Sequence, residues 1–232
     1  SATQLFTPNW IVKYMVQNTI GTKWLSVYPD SSIRDQMEFY IKSEEQTDEV
    51  KSKINENTLS KLDLETLTLM DPACGSGHIL VEAYDLYKEF YLEQGYNPLE
   101  IPELILKNNL FGLDIDERAI QLTSFALMMK GRADDRELFE RKLKLNVMAL
   151  KNSKNLDIYK FSKYLQVSDY GIQQNDLNEL KQLFEHATTF GSLIQIPEHL
   201  SSKLMQLKKL NNLEIKDIFM LETLKCLKSI VK

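Results

Sequence analysis

The residues best suited to bind a ligand form a turn between an apolar run and a helical pattern. The apolar run is Leu67-Thr68-Leu69-Met70, and helical spacing begins at residue 78. An apolar strand, a glycine-bearing turn and a helix are typical of α/β sheets that bind nucleotide-like ligands. The turn, called the glycine turn below, consists of Asp71, Pro72, Ala73, Cys74, Gly75, Ser76 and Gly77.

Two properties of the glycine turn favour a binding role. Gly75 and Gly77 let the backbone approach a ligand closely and adopt φ values that are closed to other residues. The amides at the start of the following helix are free to face a polar or anionic group. An ordinary strand-to-helix turn explains this segment equally well when it is taken alone, so the other segments must decide.

A second candidate ligand is Asp114, which ends the short apolar run 109–114. Ligands of open α/β sheets bind at the carboxyl ends of the strands, and one carboxylate can accept hydrogen bonds from both hydroxyls of a ribose. We therefore expect Asp114 to point toward the binding crevice, while Asp116 caps the following helix. The alternative is that both carboxylates only start that helix.

A weaker third candidate is Asn152, which follows the apolar run 146–150 and carries an amide that could bind an adenine edge. A plain loop is the alternative. Other kinds of site are excluded by spacing. The glycine turn lacks the Lys-Ser/Thr pair of a phosphate-binding P-loop and the three glycines of the dinucleotide fingerprint. The histidines and cysteines show no spacing typical of metal ligands, so no metal is expected.

The pattern of apolar residues predicts an α/β fold. Strands are predicted at 66–71, 109–114 and 146–150, and helices at 78–93 and 116–130. Strands that alternate with helices in this order form a parallel sheet. The predicted inner face of the second helix consists of Ala119, Leu122, Phe125, Ala126 and Met129.

A further helix is predicted at the N-terminal end, with Thr7 as its N-cap, Pro8 at its first position and Gly21 as its end. Its apolar face should pack on the core. Residues 41–62 are highly polar and are predicted to form an insertion. Beyond residue 155, helices are predicted at 176–187, 199–211 and 215–231, with a break at 188–192. We therefore divide the chain into an α/β core, 1–155, and a mainly helical C-terminal appendage, 156–232.

The composition of the 232 residues, 43% hydrophobic and 26% charged, is that of a globular protein with one sizeable core. No apolar run approaches the roughly 18 residues that span a bilayer, so no membrane partner is expected. Two cysteines and no signal-like N-terminus favour the reducing cytoplasm. The net charge of −5 argues against a dominant nucleic-acid clamp within these residues.

Three segments together carry a resemblance to a known family. Residues 71–80, D-P-A-C-G-S-G-H-I-L, resemble the cofactor motif of class I S-adenosylmethionine-dependent DNA adenine methyltransferases. Residues 6–8, F-T-P, resemble the element that precedes this motif in the gamma arrangement, and residues 111–116, F-G-L-D-I-D, the ribose motif. The wider sequence is similar to the large adenine-specific methyltransferases of BREX phage-exclusion systems.

The resemblance implies a Rossmann-like parallel sheet, here incomplete, and S-adenosylmethionine as cofactor. It implies that Phe6, Thr7 and Pro8 close over the methionine end of the cofactor, and that the glycine turn lines its amino-acid and ribose portions. It further implies that Asp114 holds the ribose hydroxyls and that Ile115 packs on the adenine. Asn152 would bind the adenine edge.

The catalytic tetrapeptide of these enzymes, Asn-Pro-Pro-Tyr or a variant, is absent, because the six prolines are never adjacent. We therefore expect the cofactor half of a longer enzyme, without a catalytic residue and inactive by itself. Double-stranded DNA is the expected partner of the complete enzyme, with other phage-defence proteins as further partners. The alternatives are a modification subunit of a type I restriction system, a fused restriction-methylase, or a binding and assembly module for phage defence.

Overall fold

The computed structural model describes residues 6–42, 47, 49, 60–159, 162 and 172–207. Most of the predicted insertion at 41–62 lies outside these residues. The predicted helix at 215–231 and the end of the one at 199–211 also lie outside them. The α-helices among the described residues are α1 (Asn9–Val16), α2 (Thr22–Val27), α3 (His78–Glu93), α4 (Ile101–Leu104), α5 (Glu117–Asp134), α6 (Gln174–Leu183), α7 (Ala187–Phe190) and α8 (Glu198–Leu207).

Three parallel strands form a sheet in the order β1-β2-β3. They comprise Leu69–Asp71 (β1), Leu110–Asp114 (β2) and Asn146–Ala149 (β3). Helix α3 follows β1 and α5 follows β2. The predicted α/β class with a parallel sheet is thus confirmed for the described residues. The finer Rossmann-like assignment stays a prediction.

Both faces of the sheet are covered by other parts of the chain. Alternate strand residues point to opposite sides, and each side packs in its own apolar cluster. On one side, Leu110 and Ala149 belong to a core that includes residues of α1, α2, α3 and α5. On the other side, Leu113 packs in a second cluster with Leu177 and Phe184 from the C-terminal part of the chain. Helical segments on both faces are usual for parallel sheets and leave the strand ends as the place for a ligand.

The predicted boundaries of the first helix are wrong at both ends. Helix α1 begins at Asn9, and its N-cap is Pro8, whose ψ of 142° lies outside the helical range. Gly21 does not end the helix, because a π-helical turn, Gln17–Gly21, continues into α2. Gly21 is required there for space, since a Cβ would lie 2.6 Å from the sulfur of Met37.

The predicted inner face of α5 is also wrong for its three largest residues. Leu122, Phe125 and Met129 are 50%, 62% and 44% exposed. The buried face consists of Ile120, Thr123, Leu127 and Gly131. Both stripes have helical spacing, and the exposed one is the more apolar, so apolarity alone favoured the wrong face. The structure selects the stripe whose small residues allow close approach to the glycine turn and to Leu138.

The described C-terminal helices pack on the sheet rather than standing apart from it. At the start of helix α6, the Gln173 amide donates to the Asp176 carboxylate at 2.8 Å. The predicted break at 188–192 contains α7 and a 3-10 turn, Gly191–Leu193. The domain boundary at residues 155 and 156 stays a prediction. None of the described helices combines the length and apolarity that crossing a membrane requires.

Candidate functional site

The ends of β1 and β2 bring the two predicted acidic positions to one edge of the sheet. Asp71, the last residue of β1, pairs with Gly112 in β2, and Asp114 is the last residue of β2. The glycine turn leaves β1 at this edge and is tied to β2, because the Cys74 amide donates to the Leu113 carbonyl at 2.8 Å. The parallel register therefore juxtaposes the glycine turn and Asp114.

Asp114 joins the two loops that leave the sheet at this edge. Its Oδ2 accepts from the Gly75 amide at 2.8 Å, and its Oδ1 accepts from the Asp116 amide at 2.9 Å. A carboxylate has about four acceptor positions, so two remain after these bonds. Asp116 accepts from the Arg118 amide at the start of α5, as predicted for an N-cap. Asp114 thus holds the loops together and still has capacity for a diol.

The glycine turn has a backbone that only its glycines adopt at low cost. Gly75 and Gly77 have φ values of +53° and +84°. The Gly77 amide donates to the Cys74 carbonyl, and Thr123 of α5 donates from its hydroxyl to the Gly75 carbonyl at 2.7 Å. Gly77 also touches Thr123 so closely that a Cβ would lie 2.7 Å from its methyl carbon. The turn is therefore held from both β2 and α5.

Asp71 is a buried acid that stabilises the turn from within. Burial raises its pKa; the Ala73 amide, which donates to its Oδ1 at 3.1 Å, acts in the opposite direction, and the neighbouring charge of Asp114 raises the pKa further. The Asp71 carboxylate therefore holds the start of the glycine turn through the Ala73 amide, and it lies close enough to Asp114 for the charge of Asp114 to affect it.

Cys74 is a packing residue and not a nucleophile. Its thiol is buried, and burial together with the charges of Asp71 and Asp114 raises its pKa to about 12. A thiol with such a pKa stays protonated at neutral pH and is inert. Its sulfur lies 3.2 Å from where a Cβ on Gly112 would stand, so the absence of a side chain at Gly112 lets the turn lie close against β2.

Apolar side chains flank the polar centre of the site. Ile115 is 57% exposed directly after Asp114, and Phe6 is 58% exposed. The Phe6 ring meets the edge of His78, the first residue of α3, with 5.4 Å between centroids. Thr7 and Pro8 are exposed beside it. The segment 6–8 therefore lies next to the glycine turn, and its contact with a cofactor stays a prediction.

Asn152 is exposed in the loop after β3 and hydrogen-bonds to Thr188. Its Oδ1 accepts from the amide and the hydroxyl of Thr188, at 2.9 and 3.0 Å. This carbonyl oxygen thus connects the loop after β3 to α7. A role in adenine binding stays a prediction, and it would depend on the amide nitrogen.

An open groove of about 450 Å³ lies beside β1, and its lining includes residues 67–72 together with residues of α1 and of the π-helical turn after it. The site is therefore open on this side among the described residues. No group of three or more His, Cys, Asp or Glu residues in the described ranges is arranged to hold a metal ion.

Thr123 is the residue of the site that the sequence did not reveal. It is fully buried, yet its hydroxyl bonds to the glycine turn. The one available signal was a polar residue within the apolar stripe of Ile120 and Leu127. That signal is indistinguishable in sequence from an ordinary helical threonine that bonds to its own helix.

Comparison with known proteins assigns the chain to a family. Residues 42–160 match the sequence model of the family described as MmeI, DNA-methyltransferase domain. The chain belongs to this family. The resemblance to DNA adenine methyltransferases, first seen in the motifs at 6–8, 71–80 and 111–116, is confirmed. The glycine turn, β2 and the loop containing Asn152 all lie within the matched residues.

Two curated relatives of this methyltransferase domain are similar over most of the chain. Adenine-specific methyltransferase BrxX of Escherichia coli O9:H4 (strain HS) is 46% identical in an alignment of 218 residues, which covers 85% of this chain and 18% of the relative. Adenine-specific methyltransferase PglX of Lacticaseibacillus casei (strain Zhang) is 40% identical in an alignment of 202 residues, which covers 84% of this chain and 16% of the relative. The chain thus spans less than a fifth of either relative.

The two positive-φ glycines provide a matched test of the site's geometry. Gly75→Ala introduces a Cβ with no atom within 4 Å, whereas Gly77→Ala also drives the Cβ into Thr123. We expect urea unfolding to show a loss of about 1–2 kcal/mol for Gly75→Ala, from backbone strain alone. For Gly77→Ala we expect about 2–5 kcal/mol, because overpacking adds to the strain. Equal losses would contradict the close contact between the turn and α5.

Proposed function

We propose that this chain is the S-adenosylmethionine-binding part of an enzyme that methylates the exocyclic amino group of adenine in double-stranded DNA. The observation that carries the proposal is the Asp114 carboxylate at the end of β2, hydrogen-bonded to Gly75 of the glycine turn. The family match supports this reaction, and so does the similarity to BrxX and PglX, which are both named as adenine-specific methyltransferases.

The residues present fit this cofactor. Asp114 is half-buried and has two acceptor positions left for the ribose hydroxyls. Ile115 offers an exposed apolar surface beside it for the adenine ring. The glycine turn brings backbone close to Asp114 for the amino-acid portion. Phe6, Thr7 and Pro8 are exposed, with Phe6 against His78 directly after the turn, and they would cover the methionine end.

The role of this chain in catalysis is positioning. When bound, S-adenosylmethionine would supply the methyl group of its positively charged sulfur to the amino nitrogen of adenine, which would give up a proton, and S-adenosylhomocysteine would be left. The glycine turn and Asp114 would hold this methyl group in one orientation, and such orientation supplies a large share of a two-reactant barrier. The tetrapeptide that would hold and stack on the flipped adenine needs two adjacent prolines, which do not occur in these 232 residues. Residues of the longer enzyme would therefore supply those contacts.

Two further parts of the proposal concern the cellular setting. The resemblance to BREX methyltransferases supports a role in phage defence, with other defence proteins as partners and the cytoplasm as location. The second candidate function is a binding and assembly module for phage defence, in which the C-terminal helices would contact a partner. The described part of those helices buries Leu177, Leu180 and Phe184 against the sheet, which favours an internal packing role.

Cofactor binding is tested by two aspartates that lie two residues apart. Asp114→Ala removes the proposed ribose acceptor and the acceptor of the Gly75 amide. We expect it to weaken binding of S-adenosylhomocysteine by about 10- to 100-fold in titration calorimetry, since hydrogen bonds to a charged group contribute about 1.5–3 kcal/mol.

Asp116→Ala is the matched control, because it removes only the helix cap and should cost about 1 kcal/mol of stability. We expect its affinity to stay within about threefold of that of the parent chain, or roughly 0.6 kcal/mol. The same affinity for Asp114→Ala and the parent would remove Asp114 from the site. No binding by a folded parent would refute cofactor binding by this chain.

The proposed reaction is tested with a longer protein that includes the catalytic tetrapeptide. We expect nucleoside mass spectrometry to find N6-methyladenine in duplex DNA after incubation with this protein and S-adenosylmethionine. The same protein with Asp114→Ala should form much less, and the 232-residue chain none. Methylated cytosine without methylated adenine would reject the proposed substrate, and DNA methylation by the 232 residues alone would reveal a catalytic element within them.

A further inference from the structure

Thr123 connects α5 to the glycine turn through one buried hydrogen bond. Its side chain is fully buried, and its hydroxyl donates to the Gly75 carbonyl at 2.7 Å. We propose that Thr123 is a positioning residue for the cofactor: it fixes the peptide between Gly75 and Ser76 so that the Ser76 amide faces the ligand. This inference rests on the proposed function and adds a residue that neither motif nor resemblance assigns.

The geometry of the peptide bond carries the first step. In a trans peptide, the carbonyl of one residue and the amide of the next point in opposite directions. Thr123 holds the Gly75 carbonyl on the α5 side of the turn. The Ser76 amide, which belongs to the same peptide, is therefore directed away from α5.

The hydrogen bonds of the neighbouring amides carry the second step. The Cys74 amide donates to Leu113, the Gly75 amide to Asp114 and the Gly77 amide to the Cys74 carbonyl. Among the residues that the structure describes, the Ser76 amide has no such acceptor, and Ser76 is only half-buried. The turn thus leaves one oriented donor, and the hydroxyl of Thr123 determines where that donor points.

The hydroxyl and the methyl group of Thr123 have separable roles. The methyl carbon fills the space against Gly77, where a Cβ would lie 2.7 Å away, and so contributes packing. The hydroxyl has one hydrogen, and it donates that hydrogen to the Gly75 carbonyl. A residue with only a packing role would depend on the methyl group, and a positioning residue depends on the hydroxyl.

Two pairs of variants of the full 232-residue chain isolate the hydroxyl. In the first pair, the parent and Thr123→Val have the same side-chain shape and differ in the hydroxyl. In the second pair, Thr123→Ser and Thr123→Ala both lack the methyl group and again differ in the hydroxyl. Titration calorimetry with S-adenosylhomocysteine should show about tenfold weaker binding for the second member of each pair. Thr123→Ser should retain most of the parent affinity although it is less stable to urea. Ser124→Ala, one position along α5, is the control and should bind like the parent.

The outcomes separate this inference from the proposed function. If the parent binds and both pairs show equal affinities, the positioning role is overturned while cofactor binding stands. If affinity instead follows urea stability across the variants, Thr123 only packs. If Thr123→Val does not fold, the Ser and Ala pair decides in the same way. If the folded parent does not bind, the proposed function fails first, and the inference fails with it.

Discussion

The site depends on one carboxylate that is shared by two loops. Asp114 stands at the end of β2 and accepts from Gly75 in the loop after β1 and from Asp116 in the loop after β2. The glycine turn is also held by β2 through Cys74 and by α5 through Thr123, but Asp114 is the side chain that accepts hydrogen bonds from both loops. The ionised carboxylate forms stronger hydrogen bonds than a neutral acceptor, and it keeps two positions for a ligand.

The rest of the structure brings this carboxylate into place. The alternation of β2 directs Leu110 to one core and Leu113 to the other, so the strand is clamped between helices on both faces. Gly112 lets Cys74 and Leu80 approach β2, and Gly77 lets α5 approach the turn. Small residues at these contacts, rather than large ones, therefore set the distance between the two loops that would enclose a cofactor.

The sequence predicted the elements with strong periodicity and the local motifs, and it failed where long-range packing decides. The three strands, the start of α3 and the Asp116 cap were found, because each has a short-range signal. The buried face of α5 was misassigned, since the stripe containing Phe125 is more apolar than the buried stripe containing Leu127. The contacts of Thr123 with Gly75 and of Asn152 with Thr188 join distant segments and leave no mark in the local sequence.

The most direct test of the account is a titration of the isotope-labelled chain with S-adenosylhomocysteine, followed by amide resonances in NMR spectra. If the ligand binds at the Asp114 carboxylate, we expect large chemical-shift changes for the amides of Gly75, Ser76 and Ile115. The amides of helix α6, which packs on the face of the sheet that contains Leu113, should change little. Shifts confined to the groove beside β1, or to α6, would contradict the account, because the ligand would then lie away from Asp114.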